Sequence, residues 1–362
     1  MAVRITKPAF NLRDKVSELD RPVGAIGTQI LKSNTLTEFA RAAHTGRRNF
    51  VRNGAMEVWQ RGTSAFNNIY NYTADRWQAT RYAGTVNQIT RNEINQRIAD
   101  EYGFNWYLRY GFSTGGGGAA YLNQPLESAD SKKMRGKPVC FSFYAKTTSQ
   151  HAGKRFKAAI SWHTDTSHND NGMYYFNFKN ASTSSMELEF YPSELWNRYW
   201  VTTNIPYNIE QIGVALIAHD YDEGGFDVTG CQLEIGNSPT PFEHLPYAEE
   251  LALCQRYYQQ IGPASSSARV LFGAGNGNAR IRGMQQLVPE MRVAPTVAHN
   301  TSSESPSFYS FAGGAPSYTS VNGVSSTTKN FTWDFNTSTH NQAGEAFDVK
   351  GSGAFITLSA EL

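Results

Sequence analysis

Val139-Cys140-Phe141-Ser142-Phe143-Tyr144-Ala145 decides the fold. Its residues are β-branched, aromatic or small, with apolar side chains at 139, 141, 143 and 145, the period-2 pattern of a strand packed against a core. Three further runs of the same character flank it, Phe156 to Trp162, Tyr174 to Phe178 and Gln211 to Ala218. Turn-forming clusters stand between such runs: Gly115 to Gly118, Asn169-Asp170-Asn171-Gly172 and Glu223-Gly224-Gly225. Short strands at this spacing, with no 3.6-residue period, predict a β-sandwich over residues 51–245. Between Phe226/Val228 and Cys231/Leu233/Ile235 the alternation breaks at Gly230, which predicts a β-bulge.

Outward from the sandwich the pattern changes on both sides. Residues 246–262 read as a helix: Pro246 suits the first helical position, Glu249 and Glu250 favour the positive end, and Gly262-Pro263 stops it. Tyr247, Leu251, Cys254, Tyr258 and Ile261 recur at spacings of 4, 3, 4 and 3, a narrow apolar seam. Such a stripe suits either packing on its own sandwich or a bundle of helices from several chains. Residues 263–362 predict a second β domain. Only 12 of residues 264–362 are charged, and strands are expected at Ala279–Met284, Thr296–His299, Phe308–Phe311, Phe331–Phe335 and Ala354–Leu358. The Gly273-Ala274-Gly275-Asn276-Gly277-Asn278 run lacks the glycine spacing and the following helix of a dinucleotide loop, so it reads as a plain loop.

Residues 1–50 are punctuated by Pro8, Pro22, Gly24 and Gly27 and read as an extended arm. One short helical stripe, Leu36, Phe39, Ala40 and Ala43, needs a surface to lie on. Residues 1–52 hold ten Lys/Arg, among them Arg41, Arg47 and Arg48, against four Asp/Glu, so this arm is the basic part of a chain whose net charge is only +2. That near-neutral total gives no ground for a nucleic-acid partner. No run of about 18 apolar residues exists to span a membrane, and MAVRITKPAF does not read as a secretory leader. Cys140, Cys231 and Cys254 are too few and too scattered for a zinc site or a disulfide framework, and read as buried thiols.

Asn53-Gly54-Ala55-Met56-Glu57-Val58-Trp59-Gln60-Arg61-Gly62-Thr63, followed by Ala74-Asp75-Arg76-Trp77, resembles the opening of carbohydrate-binding-module-like jelly rolls. Gly230-Cys231-Gln232-Leu233-Glu234-Ile235-Gly236 with Thr240-Pro241-Phe242-Glu243 resembles their closing strand. The continuation Pro246 to Tyr258, and Pro289 to Val297, resembles tail-fibre and virion structural proteins of tailed phages. The resemblance implies an all-β virion protein made in the bacterial host cytoplasm, a homotrimer that docks on other tail or capsid proteins through residues 1–50. Leu36, Phe39, Ala40, Arg41, Arg47 and Arg48 are the docking candidates. It implies attachment to a host-surface glycan or protein; capsid decoration and a glycan-degrading tailspike are the alternatives.

Exposed aromatic rings are the natural sugar readers, since sugar faces stack on them. Trp162, Tyr174, Tyr175, Tyr309, Tyr318 and Trp333 are the candidates, while at least one of Trp196 and Trp200 is expected in the core. No nucleophile elbow and no His-Glu-x-x-His occurs, so an enzyme is not expected. No cofactor or metal is expected either. Jelly rolls of the resembling kind often carry calcium at positions matching Asn53, Glu57 and Gly230–Glu234, but Gln232 stands in place of a carboxylate. His163, Asp165, His168 and Asp170 fit a polar hairpin loop better than a cation site.

Overall fold

A computed structural model describes residues 47–63, 71–82, 85–94, 101–113, 119–164, 183–219, 223–261, 269–275, 279–300, 307–310, 318–337, 346–350 and 355–361. Eleven strands build the sandwich: β1 (Asn71–Tyr72), β2 (Gln78–Tyr82), β3 (Thr85–Glu93), β4 (Trp106–Ser113), β5 (Ala119–Pro125), β6 (Pro138–Thr147), β7 (Phe156–His163), β8 (Thr183–Phe190), β9 (Asn197–Asn204), β10 (Gln211–His219) and β11 (Glu223–Ile235). A single-turn helix, α1 (Ser128–Ser131), follows β5. The strands form two antiparallel sheets, β1-β2-β5-β10-β7-β8 and β3-β4-β11-β6-β9.

The 139–145 run is the heart of β6, flanked by β11 and β9 in the five-stranded sheet. Phe141 and Phe143 meet Leu108, Val228 and Leu233 of their own sheet, and Ile160, Val214 and Leu216 of the other, in one buried core. Alternation along each strand therefore sorts residues cleanly: every second side chain enters this core, and its neighbours form the outer face of the sheet. At Gly230 the β11–β6 register shifts between Thr229 and Gln232, the predicted bulge. Gly230 has φ +61°, and a Cβ there would lie 2.5 Å from the Phe104 ring and 2.8 Å from Tyr144. No other residue meets both demands.

The Asn53–Trp77 motif is a structural knot. Asn53 Oδ1 accepts from the backbone of Glu57 and Val58, and its Nδ2 donates to Val58 O and Asp75 O. The buried Trp77 indole donates to Asn53 O. A Cβ on Gly54 would sit 2.1 Å from Cys231 O, so opening motif and closing strand are pressed backbone to backbone.

Beyond the sandwich, helix α2 (Tyr247–Gln255) is followed by β12 (Tyr258–Ile261), β13 (Arg269–Gly275), β14 (Arg280–Gln286), β15 (Thr296–Asn300), β16 (Ser307–Ser310), β17 (Tyr318–Ser326), β18 (Asn330–Thr337), β19 (Ala346–Lys350) and β20 (Phe355–Ser359). They pair as β12-β20-β15 and β16-β19-β13-β14-β18-β17. The chain is thus all-β, with short helices only, among the described residues.

The structure corrects three expectations. The helix stops at Gln255 rather than at 262, and Tyr258 to Ile261 pair with Ser359 to Ile356 of β20. The 4-3-4-3 seam therefore does not exist as one helical face. Cys254 and Tyr258 are buried, Ile261 packs on the C-terminal core and Tyr247 is 54% exposed. Glu223-Gly224-Gly225 opens β11 and pairs with Ser113 to Gly111, so it is strand and not turn. Gly273 to Gly275 likewise end β13, and the glycine at 273 makes room for Trp333, whose Cη2 a Cβ would meet at 2.4 Å.

Residues 49–362 make one compact unit. Arg76, wholly buried in the sandwich, pairs with Glu361, and its guanidinium lies 3.8 Å over the Tyr257 ring. Arg61 reaches the same carboxylate at 3.1 Å and lies 3.6 Å over Tyr258. Two arginines of the opening motif thereby hold the last residues of the C-terminal sheet.

Candidate binding face of the six-stranded sheet

Core parity fixes which residues occupy the outer face of the six-stranded sheet. Ala79, Ala120, Leu122, Ala158, Ile160, Val214 and Leu216 enter the core. Gln78, Thr80, Tyr121, Asn123, Ala215, Ala159 and Ser161 therefore face the other way. Backbone register aligns them: Gln78 opposes Asn123, Asn123 opposes Ala215, and Ala215 opposes Ala159. One level along, Ser161 opposes Gly213, and one level back Thr80 opposes Tyr121. Small residues at 159, 213 and 215 form the middle of a strip whose flanks carry amides and hydroxyls.

These polar side chains are buried, with Gln78, Thr80, Asn123 and Ser161 each 2% exposed or less. Yet Gln78 Oε1, Thr80 Oγ1, both Asn123 amide atoms and Ser161 Oγ have no hydrogen-bond partner. A buried polar group without a partner costs about 1–3 kcal/mol. Five such atoms would cost roughly 5–15 kcal/mol, as much as the whole net stability of a domain. So large a penalty on one sheet face calls for hydroxyls or water to complete the set. One end is closed by Gln211, whose Oε1 lies 3.3 Å from His163 Nε2 and whose Nε2 donates to Leu126 O at 2.6 Å. The other end reaches β8, where Ser185, opposite Ser161, is exposed and the strip meets solvent.

At that edge lies an open cleft of about 570 Å³ between β8 and β9, lined by Met186, Leu188, Phe190, Tyr199, Trp200 and Val201. Met186, Leu188 and Trp200 are 43%, 42% and 48% exposed. On the strip side of β8, Glu187 pairs with Lys157 at 3.0 Å and Glu189 with Arg155 at 3.2 Å. These carboxylates are held as ion pairs beside the strip.

The aromatic candidates distribute differently from expectation. Trp333, on β18, is 1% exposed and belongs to the C-terminal core with Phe331 and Phe335, so it reads no ligand. Trp162 is half-buried and packs on the sandwich core. Tyr309 lies on β16 and Tyr318 on β17, the two opposite edges of their six-stranded sheet, five strand spacings or about 24 Å apart. The fold does not bring them together. Tyr174, Tyr175, Leu36, Phe39, Ala40 and Arg41 lie outside the described residues; Arg47 is exposed and Arg48 half-buried. Of the tryptophan pair, Trp196 packs half-buried against the Phe104–Tyr144 cluster, while Trp200 is the exposed one.

The positions matching a jelly-roll calcium site do not fit one. Asn53 Oδ1 is taken by two backbone N–H groups, Gln232 Oε1 by Glu243 N at 2.8 Å, and both Glu234 oxygens by Thr240. No group of three His, Cys, Asp or Glu converges as a metal site among the described residues.

No protein-family profile and no curated protein sequence matches the chain. Solved structures do match about half of the chain. The enzymatically active domain of tailspike protein 4 of bacteriophage CBA120 is 17% identical over 52% of this chain and 21% of that one, with a TM-score of 0.34. A family 61 carbohydrate-binding module, solved with β-1,4-galactotriose, is 13% identical over 52% of this chain and 100% of its own, TM-score 0.30. The family 11 module of a cellulosomal cellulase of Clostridium thermocellum is 10% identical over 49% and 97%, TM-score 0.30. Each is a likeness of strand arrangement at 17% identity or less.

Proposed function

We propose that the chain is a glycan-binding structural protein of a bacterial virus particle, a tail-fibre component that mediates host attachment. The observation that carries the glycan part is the row of unpartnered polar atoms at Gln78, Thr80, Asn123 and Ser161. Sugar hydroxyls both donate and accept, as do Thr80, Ser161 and the Asn123 amide, while Gln78 Oε1 accepts. A saccharide hydroxyl admitted to the strip from the exposed β8 edge would complete these bonds. In this reading the protein binds its sugar without cleaving it. The virion part is supported by the motif order from Asn53 to Val297, and docking through residues 1–50 by the basic excess there.

The test is a screen of the purified chain against neutral oligosaccharides from host envelopes, followed by titration calorimetry. Native protein is expected to bind, and Asn123→Ala to lose at least tenfold in affinity, about 1.4 kcal/mol. Equal binding by the variant, or no binding by the native chain, would overturn the glycan reading. Immunogold labelling of particles should fall at the tail periphery; label over the head would replace tail fibre by capsid decoration. Light scattering is expected to give three times the 40.3 kDa chain mass, and a monomer would remove the trimer.

A further inference from the structure

The outer face of the five-stranded sheet carries a different arrangement. Asp227, 4% exposed, sits in β11 between Arg109 of β4 and Lys146 of β6, its cross-strand neighbours on either side. Arg109 grips it with two bonds, Nε to Oδ1 and Nη2 to Oδ2, both 2.8 Å, and Lys146 Nζ lies 3.7 Å from Oδ2. Two rings complete the group. Tyr107 and Trp196 meet edge to face at 5.4 Å, and Lys146 Nζ stands 5.5 Å and 5.3 Å from their centroids.

Two cations share one carboxylate here, so the cluster holds one net positive charge. Asp227 is buried and acts as a fixed anchor, whereas the Arg109 side chain is 43% and Lys146 26% exposed. Arg109 commits Nε and Nη2 to Asp227 and to Tyr107 Oη, at 3.2 Å, which turns Nη1 away from the pair. Lys146 is held mainly by ring faces and a long contact, leaving its ammonium protons for another acceptor. Fixed cations beside a half-exposed indole suit a ligand that combines an anionic group with an apolar ring face.

We propose that Arg109, Lys146 and Trp196 form a second binding site, for an acidic sugar whose carboxylate meets the two cations while its ring lies against the indole. This site is separate from the neutral strip, and it stands or falls independently of it, because the two faces share no residue.

The experiment is calorimetric titration of the full chain with trigalacturonate, at 50 mM and 500 mM NaCl, with neutral galactotriose and inorganic phosphate as further arms. Trigalacturonate should bind, and should weaken several-fold at the higher salt. Lys146→Gln should lose about tenfold for trigalacturonate and leave neutral-sugar affinity unchanged; Asn123→Ala should do the reverse. Trp196→Ala, which risks local unpacking, is read beside Lys146→Gln rather than alone. Unchanged trigalacturonate affinity in Lys146→Gln would overturn the proposal. So would no trigalacturonate binding by the native chain, or phosphate binding as tightly as the sugar, which would reduce the site to a charge contact.

Discussion

The two outer faces of one sandwich solve the burial of polar groups in opposite ways. On the five-stranded sheet the polar side chains find partners: Arg109 with Asp227, Arg198 with Ser142 at 3.0 Å and with Thr240 O, Thr229 with Trp106 O at 2.8 Å, although Arg198 Nε is left without one. On the six-stranded sheet Gln78, Thr80, Asn123 and Ser161 are also buried, and five of their atoms are unmatched. Both faces arise from the same alternation around the same core, so the difference is not a consequence of topology. Matched groups stabilise the fold; unmatched ones weaken it and are retained where something else completes them. On the proposed reading, the contrast separates a face whose polar residues hold the fold together from one whose polar residues are completed by a ligand.

That contrast breaks first at the bulge, where the largest effect is expected. Gly230→Ala forces a Cβ into Phe104 and Tyr144 at positive φ, and should cost about 2–4 kcal/mol in denaturant unfolding. A loss below 0.5 kcal/mol would mean that the matched face tolerates a rebuilt β11. Next in size, Asp227→Asn leaves Arg109 and Lys146 facing no charge. Because Arg109 is partly solvated, the expected loss is about 1–2 kcal/mol, read as a lowered unfolding midpoint. An unchanged midpoint would show that this face, too, is not structural.

Much of the architecture was legible because it is written in local pattern. The 139–145 alternation found β6, the broken alternation found the bulge, and the Asn53–Trp77 motif marked the knot that closes the sandwich. The seam at 247–261 misled because its second half also fits a strand, and the partner that decides, β20, lies about a hundred residues away. Trp333 misled in the same manner: Phe331, Trp333 and Phe335 share the buried face of β18, and the notch at Gly273 that accepts the indole is visible only in three dimensions. The polar strip escaped altogether. Ser161 and Asn123 look unremarkable within apolar strands, and whether a side chain finds a partner is a property of the folded neighbourhood.

The most direct measurement is the paired stability and sugar affinity of the Thr80→Val, Ser161→Ala double variant. Replacing unmatched hydroxyls by apolar groups of similar shape should raise stability by about 1 kcal/mol. The same change should weaken binding of the screened oligosaccharide about tenfold. A more stable protein that binds less is the result the ligand-facing strip predicts. A less stable protein with unchanged affinity would contradict it, and would make the strip a hydrated structural layer instead.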